Sequence, residues 1–152
     1  MAFVLDTDTF SAWGRGDETI TRRIVECDGL VYLSAVALRE SLKGALAAVA
    51  DAESPSPRFK NISVADAYDL LLGIVAQAAR LSVLPYTSGA DILYAQIPKN
   101  IIRVGPRDCR IAASAVAGGM AVVTGNTRHF AQIAESLPQL RFVDWHTPPQ
   151  SS

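Results

Sequence analysis

An α/β fold with a mostly parallel sheet of about four to five strands is the architecture this 152-residue sequence predicts. Three observations predict it. Short apolar runs alternate with longer helix-like segments along the whole chain. The runs Ala2–Leu5, Leu30–Leu33 and Met120–Thr124 are almost entirely apolar, as strands covered on both faces are. Hydrophobic residues make up 49% of the chain, enough for one real core, and the length suits one domain. The expected form is therefore three layers, with helices on both faces of the sheet.

Each element has its own signals. Ala2–Leu5 is the first strand and ends at Asp6. Thr7–Trp13 follows as a short helix, ended by Gly14 and Gly16, and Asp17 can cap a second helix through about Glu26. Leu30–Leu33 is the second strand. Ser34 is placed to cap a long helix to about Ala50. Asp51–Asn61 carries two prolines among polar residues and reads as a loop or arm. A helix starting at Ser63 or Asp66 runs through about Ala79. Leu81–Leu84 is the third strand, stopped by Pro85, and Ser88–Gln96 is a helix stopped by Pro98. Pro106 suits the first turn of the next helix, which runs to Ala117 and ends at Gly118-Gly119. Met120–Thr124 is the fourth strand. A turn and short helix over Asn126–Ala134 and a last strand, Leu140–Val143, complete a domain over residues 1–145, with 146–152 a short tail.

Composition narrows the function classes. The net charge is −1, so no global basic field attracts nucleic acid, and an RNA-binding role would need a local patch. One exists, because Arg103, Arg107 and Arg110 cluster with Lys99 around the single acid Asp108, and Arg128 follows with His129 beside it. For any one of these cations a solvated helix end is an equal reading. Charged residues are 19%, below the usual quarter, which points to extra apolar burial such as a dimer. Cys27 and Cys109 form no CxxC pair and fit a reducing cytoplasm, with Cys109 a small buried residue. The N-terminus shows no basic leader, and charges or glycines break every apolar stretch short of a membrane span.

Four acids stand where chemistry is expected: Asp6, Asp8, Glu40 and Asp108. Asp6 ends a buried strand at the edge where α/β folds build their sites. Capping is the bland alternative for Asp6 and for Asp8. Glu40 interrupts an apolar helix, and its bland alternative is an exposed pair with Lys43, worth roughly 0.2–0.5 kcal/mol. Asp108 opens a helix, where an acid also favours the macrodipole. Gathered carboxylates repel unless protons or cations offset them, and oxygen-only ligands suit Mg²⁺ or Mn²⁺. Metal-dependent phosphate chemistry follows as the expectation. No Gly-rich phosphate loop follows a strand, so a nucleotide cofactor is not expected.

Taken in order, the segments F-V-L-D-T-D-T-F-S, L-S-A-V-A-L-R-E, R-V-G-P-R-D-C-R-I-A-A-S-A and V-V-T-G-N-T-R-H-F, with the final R-F-V-D-W, resemble the PIN-domain ribonucleases, specifically VapC toxins of bacterial toxin–antitoxin pairs. Each motif alone is weak, but four in order and spacing are strong. The resemblance covers nearly the whole chain. It implies that Asp6, Glu40 and Asp108 hold Mg²⁺ or Mn²⁺, partly through water, and that water attacks an RNA phosphodiester in line to leave a 5′-phosphate and a 3′-hydroxyl. Asp8, where the family often has Asn, and Thr124 would support the site. Asn126 falls where PIN domains more broadly carry a fourth Asp. Gly125 stands where Arg is typical. Arg103, Arg107, Arg110 and Arg128 become candidates for gripping the RNA backbone. A homodimer and a cognate antitoxin are the implied partners. The antitoxin would cover the acidic site, and the Asp51–Asn61 arm is a candidate to bind it.

Two rivals remain at this level. F-V-L-D-T-D-T-F also fits the opening motif of haloacid-dehalogenase-type phosphatases, with Asp6 as nucleophile and Asp8 as general acid. That class needs a downstream Lys and a later acidic pair, and no Lys follows Lys99. The other rival is a catalytically silent PIN-like domain that only binds a partner.

Overall fold

The computed structural model describes residues 1–147. Thirteen elements follow one another: β1 (Phe3–Leu5), α1 (Thr7–Gly14), α2 (Glu18–Glu26), β2 (Val31–Ser34), α3 (Ala35–Ala52), α4 (Val64–Ala78), β3 (Ser82–Leu84), α5 (Ser88–Tyr94), α6 (Lys99–Val104), α7 (Pro106–Gly118), β4 (Ala121–Val123), α8 (Thr127–Ser136) and β5 (Arg141–Val143). All five strands lie parallel, in the order β3-β2-β1-β4-β5. The expected α/β architecture is present, with a sheet parallel throughout.

The order explains where a site can form. Crossovers from β1 to β2 to β3 step one way across the sheet, and those from β3 to β4 to β5 step the other way. Right-handed connections therefore place α1–α4 on one face and α5–α8 on the other. The direction reverses between β1 and β4, and a crevice opens there at the carboxyl ends of the strands. Leu5 is in register with Leu33 on one side and Val123 on the other. Asp6 and Thr124, the next residues, therefore leave neighbouring strands at the same edge.

The central strands form the interior: Val4, Leu5, Leu33, Val122 and Val123 have no exposed surface. On α7, Cys109, Ile111, Ala112 and Ala115 present the buried face that packs on this core. Small alanines there let the helix approach the sheet closely. The helix ends where Gly119 adopts φ +68°, a left-handed cap that an L side chain strains.

Two local readings change. Residues 97–105 carried no expected element, yet Lys99–Val104 is α6. It is six residues long, has no side-chain cap and buries no residue fully, so neither periodicity nor capping marks it. The Asp51–Asn61 segment begins inside α3, and its loop is tied back. Asp51 accepts from the backbone N–H groups of Arg58 (3.0 Å) and Phe59 (3.4 Å). Residues 148–152 of the expected tail lie outside the described residues. His146, the first residue assigned to that tail, reaches back to Thr9, Nε2 to Oγ1 at 2.9 Å.

Candidate active site

Asp6 is built into the switch point by backbone and core together. It is the N-cap of α1, and its Oδ1 accepts from the Thr9 amide at 2.9 Å. The capping reading of this carboxylate is thus met, and the same side chain faces the acidic cleft. Its own amide donates to Val123 O across to β4 (3.2 Å), and the residue is 3% exposed. Thr9 is fixed in turn, because its hydroxyl donates to Val123 O at 3.1 Å. Burial pushes the Asp6 carboxyl above its ordinary range, and the neighbouring Asp108 pushes the same way. Hydrogen bonding from Thr9 and Thr124 acts against that rise. Thr124 is fully buried, and its Oγ1 accepts from the Asn126 amide (2.9 Å), so its hydroxyl proton is free for Asp6.

Asp108 lies in the first turn of α7, whose entry is set by Pro106. Two side chains from α8 and its cap hold it. Asn126 Nδ2 donates to Oδ2 at 3.1 Å, and His129 Nδ1 lies 3.1 Å from the same oxygen. His129 is buried, and its Nε2 faces Ile101 O at 3.3 Å. Each ring nitrogen thus meets an oxygen, which fixes the orientation of the imidazole. Gly105 makes room for this pair, since a Cβ there would sit 2.8 Å from His129 Cε1 and 3.4 Å from Asp108 Oδ2. His129 was legible only as the H of the H-F ending of the last motif, and its tie to Asp108 was not foreseen.

Glu40 enters from α3 on the opposite face. Its side chain is only 8% exposed, and both of its oxygens are taken. Arg39 Nη1 lies 2.7 Å from Oε1, and Arg107 Nε lies 2.6 Å from Oε2. The bland alternative, an exposed pair with Lys43, does not occur. Arg107 spans the two faces of the sheet, since it belongs to α7.

These groups line two adjoining clefts. One, of about 300 Å³, is acidic: Asp6, Asp8, Glu40 and Asp108 line it with Gly105 and Arg107. Asp8, exposed in the first turn of α1, belongs to it. The other, of about 680 Å³, is basic: Arg39, Lys43, Arg107 and Arg110 line it with Tyr86 and Glu40. Glu40 and Arg107 belong to both. Of the foreseen cations, Arg107 and Arg110 reach these clefts, whereas Arg103 and Arg128 are exposed and line neither. Arg110 is occupied already. Its guanidinium lies 4.0 Å from the Tyr94 ring centre and donates to Tyr86 Oη at 2.8 Å. Arg39 and Lys43 are cations the sequence reading did not assign to the cleft, although their i,i+4 spacing puts both on one face of α3.

The donor set suits a hard divalent cation, because it offers only carboxylate oxygens around one polar cleft. Position is the point of difference. Among the described residues, no three His, Cys, Asp or Glu side chains are close enough together to hold an ion. Asp6 senses the charge of Asp108, while Glu40 is turned to its arginines. Cys109 adds no nucleophile: it is buried, with burial raising its thiol to about 11.

Comparison with known proteins gives a consistent picture. A PIN-domain family model matches residues 3–136. The protein named tRNA(fMet)-specific endonuclease VapC, from Salmonella typhimurium strain LT2, is 31% identical over 151 residues, covering 95% of this chain and 98% of that protein. DNA-bound VapBC from Salmonella typhimurium superposes with a TM-score of 0.70 at 29% identity, over 95% of this chain and 98% of the other. VapBC-1 from nontypeable Haemophilus influenzae shares the fold, with a TM-score of 0.69 at 19% identity over 97% and 100% of the two chains.

Proposed function

This chain belongs to the PIN-domain family, among the VapC-type toxin ribonucleases, and on that premise we propose that it is a metal-dependent endoribonuclease, the toxin of a toxin–antitoxin pair. The observation that carries the site assignment is a convergence. Asp6, Glu40 and Asp108 come from three distant segments and line one cleft at the switch point.

In this reading Asp6, Glu40 and Asp108 hold Mg²⁺ or Mn²⁺. The ion, when bound, supplies positive charge against the phosphate and a water made acidic enough to attack at neutral pH. The protein's own part is positioning. Thr9 and the first turn of α1 fix Asp6, and Asn126 and His129 fix Asp108. Asp8 adds negative charge at the cleft mouth. Thr124 holds the Asn126 amide in place and counters the burial cost of ionised Asp6. Single-stranded RNA is the substrate class, since splayed nucleotides can enter a narrow cleft that a duplex cannot.

An antitoxin and a second copy are the proposed partners. Support comes from the VapBC complexes among the structural relatives and from apolar side chains exposed on α3 and α4, including Leu46, Leu70, Leu72 and Val75. No described helix is long and apolar enough to cross a membrane.

The test is cleavage of total RNA, and of tRNA(fMet) because that is the named target of the Salmonella relative, by antitoxin-free protein with and without Mn²⁺ or Mg²⁺. Discrete metal-dependent cuts, lost in Asp6→Asn, are the expected result. One observation favours a second reading, a silent partner-binding domain: Glu40 is paired with two arginines, and among the described residues no three potential ligands lie close enough together to hold an ion. Folded protein that leaves every RNA intact with metal present would select it.

A further inference from the structure

We propose that Arg107, assisted by Arg39, is a resident counter-cation on Glu40, and that cation binding releases it to hold substrate phosphate, so that metal and RNA bind with positive coupling. This rests on the nuclease reading and adds a regulatory step to it.

The geometry is specific. Glu40 is nearly buried, yet it is neutralised by side chains that are themselves largely in water, with Arg39 70% and Arg107 59% exposed. A buried carboxylate needs a partner, because an unpaired charge there would be costly. The exposed arginines need no such partner. They are therefore the mobile members of the cluster, and Glu40 is the fixed one.

A divalent ion in the acidic cleft competes with Arg107 for the same carboxylate charge. Ion and guanidinium also repel when both sit on Glu40. Arg107 lines the acidic and the basic cleft alike, so release from Glu40 requires only that its head turn toward Lys43 and Arg110. There it adds a planar, two-pronged donor suited to a phosphate. Without metal the arginine is spent on Glu40, and the cleft holds RNA poorly. With metal the arginine is free. Linkage requires the reverse as well: RNA must tighten metal binding by the same factor.

The experiment measures binding rather than turnover. Mn²⁺ is titrated by calorimetry into wild type, Arg107→Gln and Asp6→Asn. In parallel, affinity for a 2′-O-methyl RNA oligonucleotide, which resists cleavage, is measured with and without Mn²⁺. Mn²⁺ is expected to bind Arg107→Gln about fivefold more tightly than wild type, the factor that an ion pair of ordinary strength represents. The oligonucleotide is expected to bind wild type more tightly with Mn²⁺, and that gain should vanish in Arg107→Gln. Equal Mn²⁺ affinity in wild type and Arg107→Gln, with Asp6→Asn still abolishing binding, would overturn the exchange and leave the metal site standing. Mn²⁺ binding that Asp6→Asn does not affect would remove the metal site and the exchange together. Circular dichroism of each variant keeps misfolding from passing as either result.

Discussion

The two halves of the acidic cleft are held in different ways. Asp6 and Asp108 sit on the β1–β4 side and are fixed by directed hydrogen bonds, from the buried Thr9 amide, the buried imidazole of His129 and the amide of the exposed Asn126. Glu40 sits on the α3 side and is held by two arginines that are mostly in solvent. Groups tied by buried, sequence-local or helix-terminal bonds are set when the chain folds. The arginines, whose side chains stay largely in water, are the exchangeable partners of the Glu40 carboxylate. The cleft therefore combines a preorganised wall with an exchangeable one.

The largest expected effects fall on the preorganised wall. Asp6→Asn and Asp108→Asn should each lower metal-dependent RNA cleavage by at least about 10²-fold, since losing even a supporting contact of a metal ligand costs about 10–100-fold. Glu40→Gln should lower it comparably if the exchangeable wall also binds the ion. Near-normal cleavage by Glu40→Gln would show that Asp6 and Asp108 suffice and that the exchangeable wall takes no part in holding the ion. Single-turnover assays at saturating Mn²⁺ make the comparison.

Next comes the support of Asp108. His129→Ala should reduce cleavage by about 10–100-fold while leaving the fold intact. Gly105→Ala forces a Cβ to within 2.8 Å of His129 Cε1 and should destabilise by about 1–3 kcal/mol, as other overpacked sites do. Denaturant unfolding reads the second effect. Full stability in Gly105→Ala would mean that the His129 ring moves freely, and the wall would not be rigid.

A smaller effect follows from the raised carboxyl of Asp6, whose main cause is burial. In the pH window between the ordinary Asp value and the raised native one, the native state binds more protons than the unfolded chain. Stability is therefore present below that window and is lost as pH rises through it. Asp6→Asn removes this loss and keeps a capping side chain. It should raise the melting temperature at pH 7, by about 2–4 °C for each kcal/mol relieved in a domain of this size. An unchanged or lower midpoint would mean that Asp6 is not strained by burial. The smallest effects belong to Arg103→Ala and Arg128→Ala. Both lie outside the two clefts, and each should change RNA affinity by less than about threefold, the scale of exposed charges.

Much of this was legible in the chain, for physical reasons. Apolar runs closed by Asp6, Ser34 and Pro85 located the first three strands, and Pro106 with Gly118-Gly119 bracketed α7 closely. Asp6 could be placed at the cleft edge because it ends a buried strand. The α6 helix could not be read, because a six-residue helix without a cap leaves no periodic trace. Glu40 shows the sharper limit. Its sequence neighbourhood offered Lys43 at i,i+3, yet its partners are Arg39, the adjacent residue, and Arg107, 67 positions away and across the sheet. Local spacing ranks helix neighbours and is silent about pairings made by tertiary packing. The His129–Asp108 tie was hidden for the same reason.

The most direct measurement is the anomalous scattering of a crystal soaked in Mn²⁺. The account predicts a peak in the acidic cleft, ligated by Asp6 and Asp108 with Glu40 turned toward it and Arg107 withdrawn. No peak in that cleft at saturating Mn²⁺, with Arg107 and Arg39 still on Glu40, would contradict it.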